Sequence, residues 1–581
     1  MDQLGISNTS NMKIGLLAMH RQQALEAEIE AQQMSKDIRL KEKSEQKKKK
    51  KAEKVKVKMN MEMGYFKAVK GEFNIKESLT TSMGYETIFE YLGSYGPFQK
   101  RIHFLASLPA IMTAFHRLIG VFILAEPSFR CNLPDEDENY ENTTLSFINT
   151  TYTCTRPGDE PNSTVACDQW VYDNSTYENS LVTEFDLVCD EAWLVPTGQS
   201  MVMLGDLLGS VVFGILSDRY GRKPTFFVSL VLQLVFGLVL AFLHNVIAFM
   251  VVRVAIGMAT AGVFTTAYVI GVELVGPDKR LFAGVLIEFF WSVGYGILAL
   301  AAYFIRDWRT LQISVTVPGA LFLCYWWFIP ESARWLMSEG RMEETKAVIE
   351  KAAKVNKVHI PDDVLASALK SVENEQQVGF SVRDLLKCPR MTIRALLVFF
   401  NWYAACCSFY GISLSTSSLG GNDHLNFFLV GVVELPAYAM LLLTLNKMGR
   451  VPILCASVLL GGLAHLSELL VPAGMTWLTV TLAMIGKFAV TMGFVVDFII
   501  TMEMFPTVIR NIAVGMGATC ARFGSLVSPY IFLLAAYWHP LPQVIFGVQL
   551  LLAAIMTFGL PETLHKELPD TIEQGEKFGL E

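Results

Sequence analysis

Long uninterrupted apolar runs set the pattern of this chain. Segments such as FFVSLVLQLVFGLVLAFL (Phe226–Leu243) and FGVQLLLAAIMTFGL (Phe546–Leu560) carry no charge at all. Runs of this kind are too long for ordinary core helices and suit helices that cross a bilayer. In lipid a helix satisfies every backbone hydrogen bond within its own segment. The pattern predicts twelve such spans. Six lie near 102–125, 192–216, 225–243, 247–273, 281–303 and 309–329, and six near 392–415, 424–445, 451–471, 476–504, 510–537 and 540–560. The expected fold is an all-α membrane protein with two six-helix bundles, over 102–329 and 392–561. A loop at 126–191 interrupts the first bundle, and a cytoplasmic linker at 330–391 joins the two. Residues 1–90 read as a basic, partly disordered cytoplasmic extension and 562–581 as a cytoplasmic tail.

Composition supports the membrane reading. The 581 residues are 52% hydrophobic and only 18% charged, where soluble chains average about a quarter charged. The charge is also unevenly placed. Residues 126–191 hold 15 acidic groups against Arg130 and Arg156, whereas the short loops SDRYGRKP (Ser217–Pro224) and PDKR (Pro277–Arg280) are basic. Basic loops stay on the cytoplasmic side, which places the acidic loop outside and both termini inside, as in a multi-pass plasma-membrane protein. That loop holds N-x-S/T glycosylation sequons at Asn142, Asn149, Asn162 and Asn174. It also holds Cys131, Cys154, Cys167 and Cys189, an even set suited to two disulfides in an oxidising space. Three pairings are open. The basic run from Lys47 to Lys58 reads as a solvated tail or as a contact with anionic lipid. It lacks the aromatic interleaving and folded basic domain that nucleic-acid binding needs.

The two halves echo one another. GILSDRYGRKP (Gly214–Pro224) corresponds to NKMGR (Asn446–Arg450), ELVGPDKR to EMFPTVIR, and PESARWL (Pro330–Leu336) to PETL (Pro561–Leu564). Three paired signatures at matching positions argue for a duplicated six-span unit, the plan of a secondary transporter with its site at the midplane. With Gly214, Asp218, Arg219, Gly221, Arg222 and Lys223, the first motif resembles the signature of the major facilitator superfamily. RVAIG (Arg253–Gly257) is similar to its span-4 pattern. TEFDLVCDEAWLVPTGQSMVMLGDLLGS (Thr183–Ser210), YFIRDWRTLQ (Tyr303–Gln312), PESARWL and MEMFPTVIRN (Met502–Asn511) resemble the solute carrier 22 family of organic cation, organic anion and carnitine transporters. The resemblance runs from about Met83 to Glu562. It implies that Gly214 and Gly221 permit close approach and a tight turn. It also implies that Asp218, Arg219, Arg222, Lys223, Glu273, Arg280, Glu331, Arg334, Glu503 and Arg510 exchange charge contacts as the halves rock.

Charges within spans are functional suspects, because an ion in lipid is costly. Arg522, in GATCARFGSLVSP (Gly517–Pro529), lies at mid-depth beside small residues, and Glu434 lies in GVVELPAY of span 8. The first invites substrate contact or a structural pairing with a carboxylate such as Glu434. In the resembled family, classical cation carriers have aspartate at the Arg522 position, whereas anion and carnitine-type members have arginine. GVFTTAY in span 4 lacks the Asn-Tyr of the carnitine members, which argues against sodium-coupled carnitine uptake. Trp402, Tyr403, Phe409 and Tyr410 in span 7 and Phe290 in span 5 supply aromatic faces suited to soft cations. His116 is a further candidate contact or a packed neutral imidazole. Asp206, Glu288 and Asp497 remain unassigned polar groups. The expectation is a polyspecific carrier of small organic cations or zwitterions, with organic anions as the second reading and a non-transporting sensor as a distant third. No enzymatic set, metal cluster, cofactor motif or ATP-binding loop is evident.

Overall fold

The structure is a computed structural model that describes residues 86–132, 153–157, 163–361, 364–365, 385, 387–472 and 474–579. The N-terminal extension up to residue 85, with Lys47–Lys58, lies outside the described residues, as do Asn142, Asn149 and Asn162. Among the described residues ten helical segments are long and apolar enough to cross a membrane. In chain order they are span 1 (Pro97–Ile123), span 2 (Cys189–Tyr220), span 3 (Arg222–Leu240), span 4 (Val246–Glu273) and span 5 (Pro277–Phe304), then span 7 (Pro389–Leu414), span 8 (Asp423–Leu445), span 9 (Arg450–Leu470), span 10 (Thr476–Met504) and span 11 (Thr507–Ala536).

The sixth and twelfth expected spans are present in altered form. Span 6 begins as an α-helix, Trp308–Thr316, and tightens into a 3₁₀ segment over Val317–Trp327. Pro318 lacks the N–H that an α-helix would use there, which accounts for part of the change. Span 12 is a shorter apolar helix, Leu541–Thr557.

Successive spans run in opposite senses, so the ends fall into two sets. One end carries loop 126–191 and is called the disulfide end; the other carries the paired charged signatures and is called the motif end. In the loop, Phe129–Cys131 pairs with Trp170–Tyr172 and Thr155–Pro157 with Thr164–Ala166, both antiparallel. Disulfides join Cys131 to Cys167 and Cys154 to Cys189, selecting one of the three open pairings. Glu184 fastens this loop to the bundle. It pairs with Arg309 and accepts from Trp308 Nε1 at 2.8 Å, while Arg309 Nη2 also donates to Leu243 O at 2.7 Å. Asn174 lies exposed in a turn of the same loop.

Spans 1 to 6 form one half and spans 7 to 12 the other. Span 2 packs on span 11 and span 5 on span 8, so these pairs make the seam. Close packing of spans 2 and 4 depends on small residues. A Cβ on Gly205 would lie 2.1 Å from Val254 O, and one on Gly209 would lie 2.4 Å from Met258 O. Gly214, expected to serve this purpose, has nothing within 4 Å of the same position; the close approach is made two turns earlier.

At the disulfide end the apolar core runs straight across the seam, with Phe122, Trp291 and Tyr295 in one cluster with Ile412, Phe427 and Val430. Further contacts join the halves there. Tyr177 donates to Asp423 at 2.9 Å, Ser200 to Leu526 O at 3.0 Å, and Tyr530 to Thr197 at 3.2 Å. At the motif end the linker helix Met342–Asn356 docks on span 1 through Asn356, which accepts from Phe98 N at 2.8 Å and donates to Gln99 at 2.9 Å.

Candidate functional site

Two carboxylates at mid-depth anchor polar bridges across the seam. Asp206 of span 2 pairs with Arg117 of span 1, in its own half, and with Arg522 of span 11 at 3.3 Å. Arg117 also lies over the rings of Phe264 at 5.2 Å and Trp291 at 5.3 Å. Glu434 of span 8 accepts from Ser292 of span 5 at 2.7 Å and meets Lys487 of span 10 at 2.9 Å. The side chains of Glu434 and Lys487 have no solvent exposure. Lys487 donates to Ser413 at 2.8 Å and sits 2.9 Å from the centroid of the Phe409 ring.

This arrangement revises the expected pairing. Arg522 is bound to Asp206, not to Glu434, and it reaches back to Ala518 O at 3.1 Å. The partner of Glu434 is Lys487, which the sequence reading overlooked. The signal was available, because Lys487 stands in MIGKFAV, as isolated in apolar sequence as Arg522. Arg117 and Asp206 were likewise visible as charges within spans, but nothing in their spacing showed that they meet.

Glu288, on span 5 one turn before Ser292, is partly exposed and joins no ion pair among the described residues. The charges that act on it most are Glu434 and Arg117. Asp497 is fully buried, and neither of its oxygens has a hydrogen-bond partner among the described residues.

Of the expected aromatic contacts, Tyr410 alone packs against both the apolar core that crosses the seam and a second apolar core within spans 7 to 12. The Phe409 face is taken by Lys487. Trp402 is buried within the second half, donating to Thr501 at 3.0 Å and packing edge-on against Phe494. Tyr403 turns to the outer side with Phe523, which is exposed. Phe290 packs against Phe104, also exposed, so it belongs to the outer face of span 5. One residue of helical rotation puts Trp291, not Phe290, toward the centre. His116 is buried against Gly237 of span 3 with neither ring nitrogen bonded, a packed imidazole.

The motif-end charges form two clusters of the same design, one in each half. In the first, Glu331 accepts from the backbone N–H of Arg222 at 3.0 Å and of Lys223 at 3.2 Å. Arg222 pairs with Asp218 at 2.8 Å and Glu273 at 3.3 Å, and Ser332 donates to Glu273. In the second, Glu562 accepts from Arg450 N at 2.9 Å and Val451 N at 3.1 Å. Arg450 grips Glu503 through Nε and Nη2, both at 3.0 Å, and Thr563 donates to Glu503.

Gly221 (φ 105°) and Gly449 (φ 90°) open the two turns in a conformation that favours glycine. A Cβ on Gly221 would meet Glu331 Oε2 at 2.5 Å, and one on Gly449 would meet Glu562 Oε2 at 2.7 Å.

Other expected members sit apart from these clusters. Arg510 does not pair with Glu503; it donates to Phe505 O at 3.2 Å, and Arg450 takes the glutamate instead. Arg280 pairs with Glu86 at 3.0 Å, Lys223 lies over Trp326 at 4.7 Å, and Arg219 stacks on its neighbour Tyr220. Arg334 is exposed and joins no ion pair among the described residues. Arg253 is buried in the first half, donating to Gly198 O at 3.2 Å.

The pattern of the family described as sugar (and other) transporter matches residues 153–573. The organic cation transporter protein of Drosophila melanogaster is 46% identical over 522 residues, covering 86% of this chain and 95% of its own. The organic cation/carnitine transporter 2 of Homo sapiens is 36% identical, covering 84% and 93%. The solute carrier family 22 member 4 of Mus musculus is 32% identical, covering 85% and 95%. Among solved structures, the xylose transporter XylE from E. coli in a partially occluded inward open conformation aligns over 81% of this chain and 100% of its own. The TM-score is 0.57 at 18% identity, a likeness of fold.

Proposed function

From the premise that this chain belongs to the sugar (and other) transporter family, and within it to the solute carrier 22 group of the major facilitator superfamily, we propose that it carries small organic cations or zwitterions across the plasma membrane by alternating access. The chain is a transporter and not an enzyme. The observation that carries the reading is the pair of carboxylate-centred bridges at mid-depth on the seam. Substrate held there would touch both halves at once, and its charge would compete with the bridges that join them.

The charge balance favours a cation or zwitterion. Arg117 and Arg522 share Asp206, Lys487 is matched by Glu434, and Glu288 has no ion partner among the described residues. An ammonium group lodges against Glu288, near the ring of Tyr410, the Trp291 ring being already covered by Arg117. A substrate carboxylate, where one is present, competes with Asp206 for Arg522, whose planar guanidinium suits bidentate contact. The organic anion reading stands second, because two arginines against one aspartate leave a positive surplus on that side.

The disulfide end faces outward and the motif end the cytoplasm, in line with the charge asymmetry and the exposed Asn174 sequon. With the halves joined by hydrophobic packing at the disulfide end and each motif cluster closed within its own half, this is an inward-facing state. Gating proceeds when the Arg222 and Arg450 clusters are remade as the halves rock. Anionic-lipid contact through Lys47–Lys58 is part of the proposal for the extension. Uptake of labelled tetraethylammonium, carnitine and para-aminohippurate by cells expressing the wild type, Arg522→Ala and Glu434→Ala tests the substrate class. Cation or zwitterion uptake supports the reading; uptake of para-aminohippurate alone moves it to the anion alternative.

A further inference from the structure

The disulfide end of the second half holds a polar cleft that the transport reading leaves unused. Its walls come from spans 7, 9, 10, 11 and 12, and its interior is small, about 20 Å³. His465 and Glu468 lie one turn apart at the end of span 9, Gln543 lies at the start of span 12, and Ser415 and Ser418 follow span 7.

Several polar atoms here have no hydrogen-bond partner among the described residues. The His465 side chain is 4% exposed and neither ring nitrogen is hydrogen-bonded. The Glu468 side chain is 6% exposed with Oε1 unbonded. The separation of His465 Nδ1 from Glu468 Oε1 is 3.8 Å, too long for a hydrogen bond. Gln543 Oε1 is buried and unbonded as well.

Both serines have already spent their hydroxyl protons. Ser415 donates to Gly411 O and Ser418 to Ser415 O, each at 2.7 Å, which leaves their oxygens free to accept. The cleft therefore offers a carboxylate oxygen, an amide oxygen, two hydroxyl oxygens and an imidazole nitrogen. A carboxyl group this far from water either keeps its proton or is matched by a positive charge.

We infer that this cleft binds one small monovalent cation, an alkali-metal ion or ammonium, outside the central cavity. One carboxylate balances one positive charge and leaves a divalent ion in surplus. The described residues contain no group of three His, Cys, Asp or Glu side chains of the kind that holds a transition metal. Oxygen-rich acceptors are the natural ligands of hard cations. Occupancy would brace the turn Thr416–Leu419, whose Thr416 carbonyl accepts from Asn426 of span 8 at 3.2 Å. Span 8 also carries Glu434, so the cleft is linked to the seam by one helix. The inference does not depend on the substrate assignment.

The test is thermal unfolding of the purified full chain in detergent in NaCl, KCl, NH₄Cl or CaCl₂, each against N-methyl-D-glucamine chloride at equal ionic strength. A saturable rise in Tm of several degrees is expected with at least one monovalent salt and not with calcium. Glu468→Gln abolishes the rise, and Gln543→Leu raises the half-saturating concentration at least tenfold. Should Glu468→Gln lose its cooperative transition, Gln543→Leu decides. Equal Tm values in all salts, as for a cleft holding only water, overturn the inference. A response to calcium alone, or a monovalent response undiminished in the deciding variant, does so too.

Discussion

Lys487 places an ammonium group in the middle of span 10, wholly buried, between Glu434, Ser413 and the face of Phe409. A buried pair of this kind contributes little net stability over an apolar pair, yet removing one partner strands the other charge at a cost of about 3–5 kcal/mol. Lys487→Met is therefore expected to lower Tm and surface expression sharply. The double variant Lys487→Met with Glu434→Gln should recover much of the loss, and a thermal-shift double-mutant cycle measures the coupling. Trp402 shows why residue roles were only partly legible. Its identity announced an aromatic face, but its orientation came from Thr501 and Phe494 on another helix, Thr501 lying 99 residues along the chain. Aromatic content can be read in a line of sequence; which neighbour takes the ring face cannot.

At the scale of elements, the turn between spans 2 and 3 and its counterpart between spans 8 and 9 are built alike. Gly221→Ala or Gly449→Ala forces a Cβ into a glutamate and into strained backbone, a cost of roughly 1–3 kcal/mol. Gly214→Ala meets open space and should leave Tm near the wild-type value, so thermal unfolding of the three variants separates turn from packing.

The two anchoring glutamates differ electrostatically. Burial pushes the Glu331 carboxyl up, and backbone N–H groups of Ser332, Lys223 and Arg222 only partly offset it. Burial also raises Glu562, but N–H groups of Arg450, Leu564, Val451 and Thr563 prevail and hold it below the usual carboxylate value. A depressed folded pKa contributes stability above the unfolded pKa and loses it as pH falls through the folded value. Tm of the wild type should thus fall on acidification below about pH 4.5 in part through Glu562, and Glu562→Gln should flatten that fall. The helices themselves were legible because an apolar run has one solution in lipid. The partner choice was not: Glu503 selects Arg450 from the adjacent turn over Arg510, seven residues along its own chain.

Across the whole molecule, an apolar core bridges the halves at the disulfide end, while the charged clusters of the motif end are closed within each half. The duplicated signatures made the two-half plan legible, but the seam contacts between spans 2 and 11 and between spans 5 and 8 arise only when the halves meet. Loosening the disulfide end should shift the balance between states. Tyr177→Phe removes the bond to Asp423, and a change in KM for uptake larger than the change in surface expression is the expected sign.

The central claim is that a free carboxylate on this seam receives the positive group of the substrate. The most direct measurement is initial-rate uptake of labelled tetraethylammonium into proteoliposomes containing the wild type or Glu288→Gln, normalised to reconstituted protein. The account predicts saturable uptake by the wild type and at least a tenfold lower kcat/KM for Glu288→Gln. Saturable uptake by Glu288→Gln equal to the wild type would contradict it.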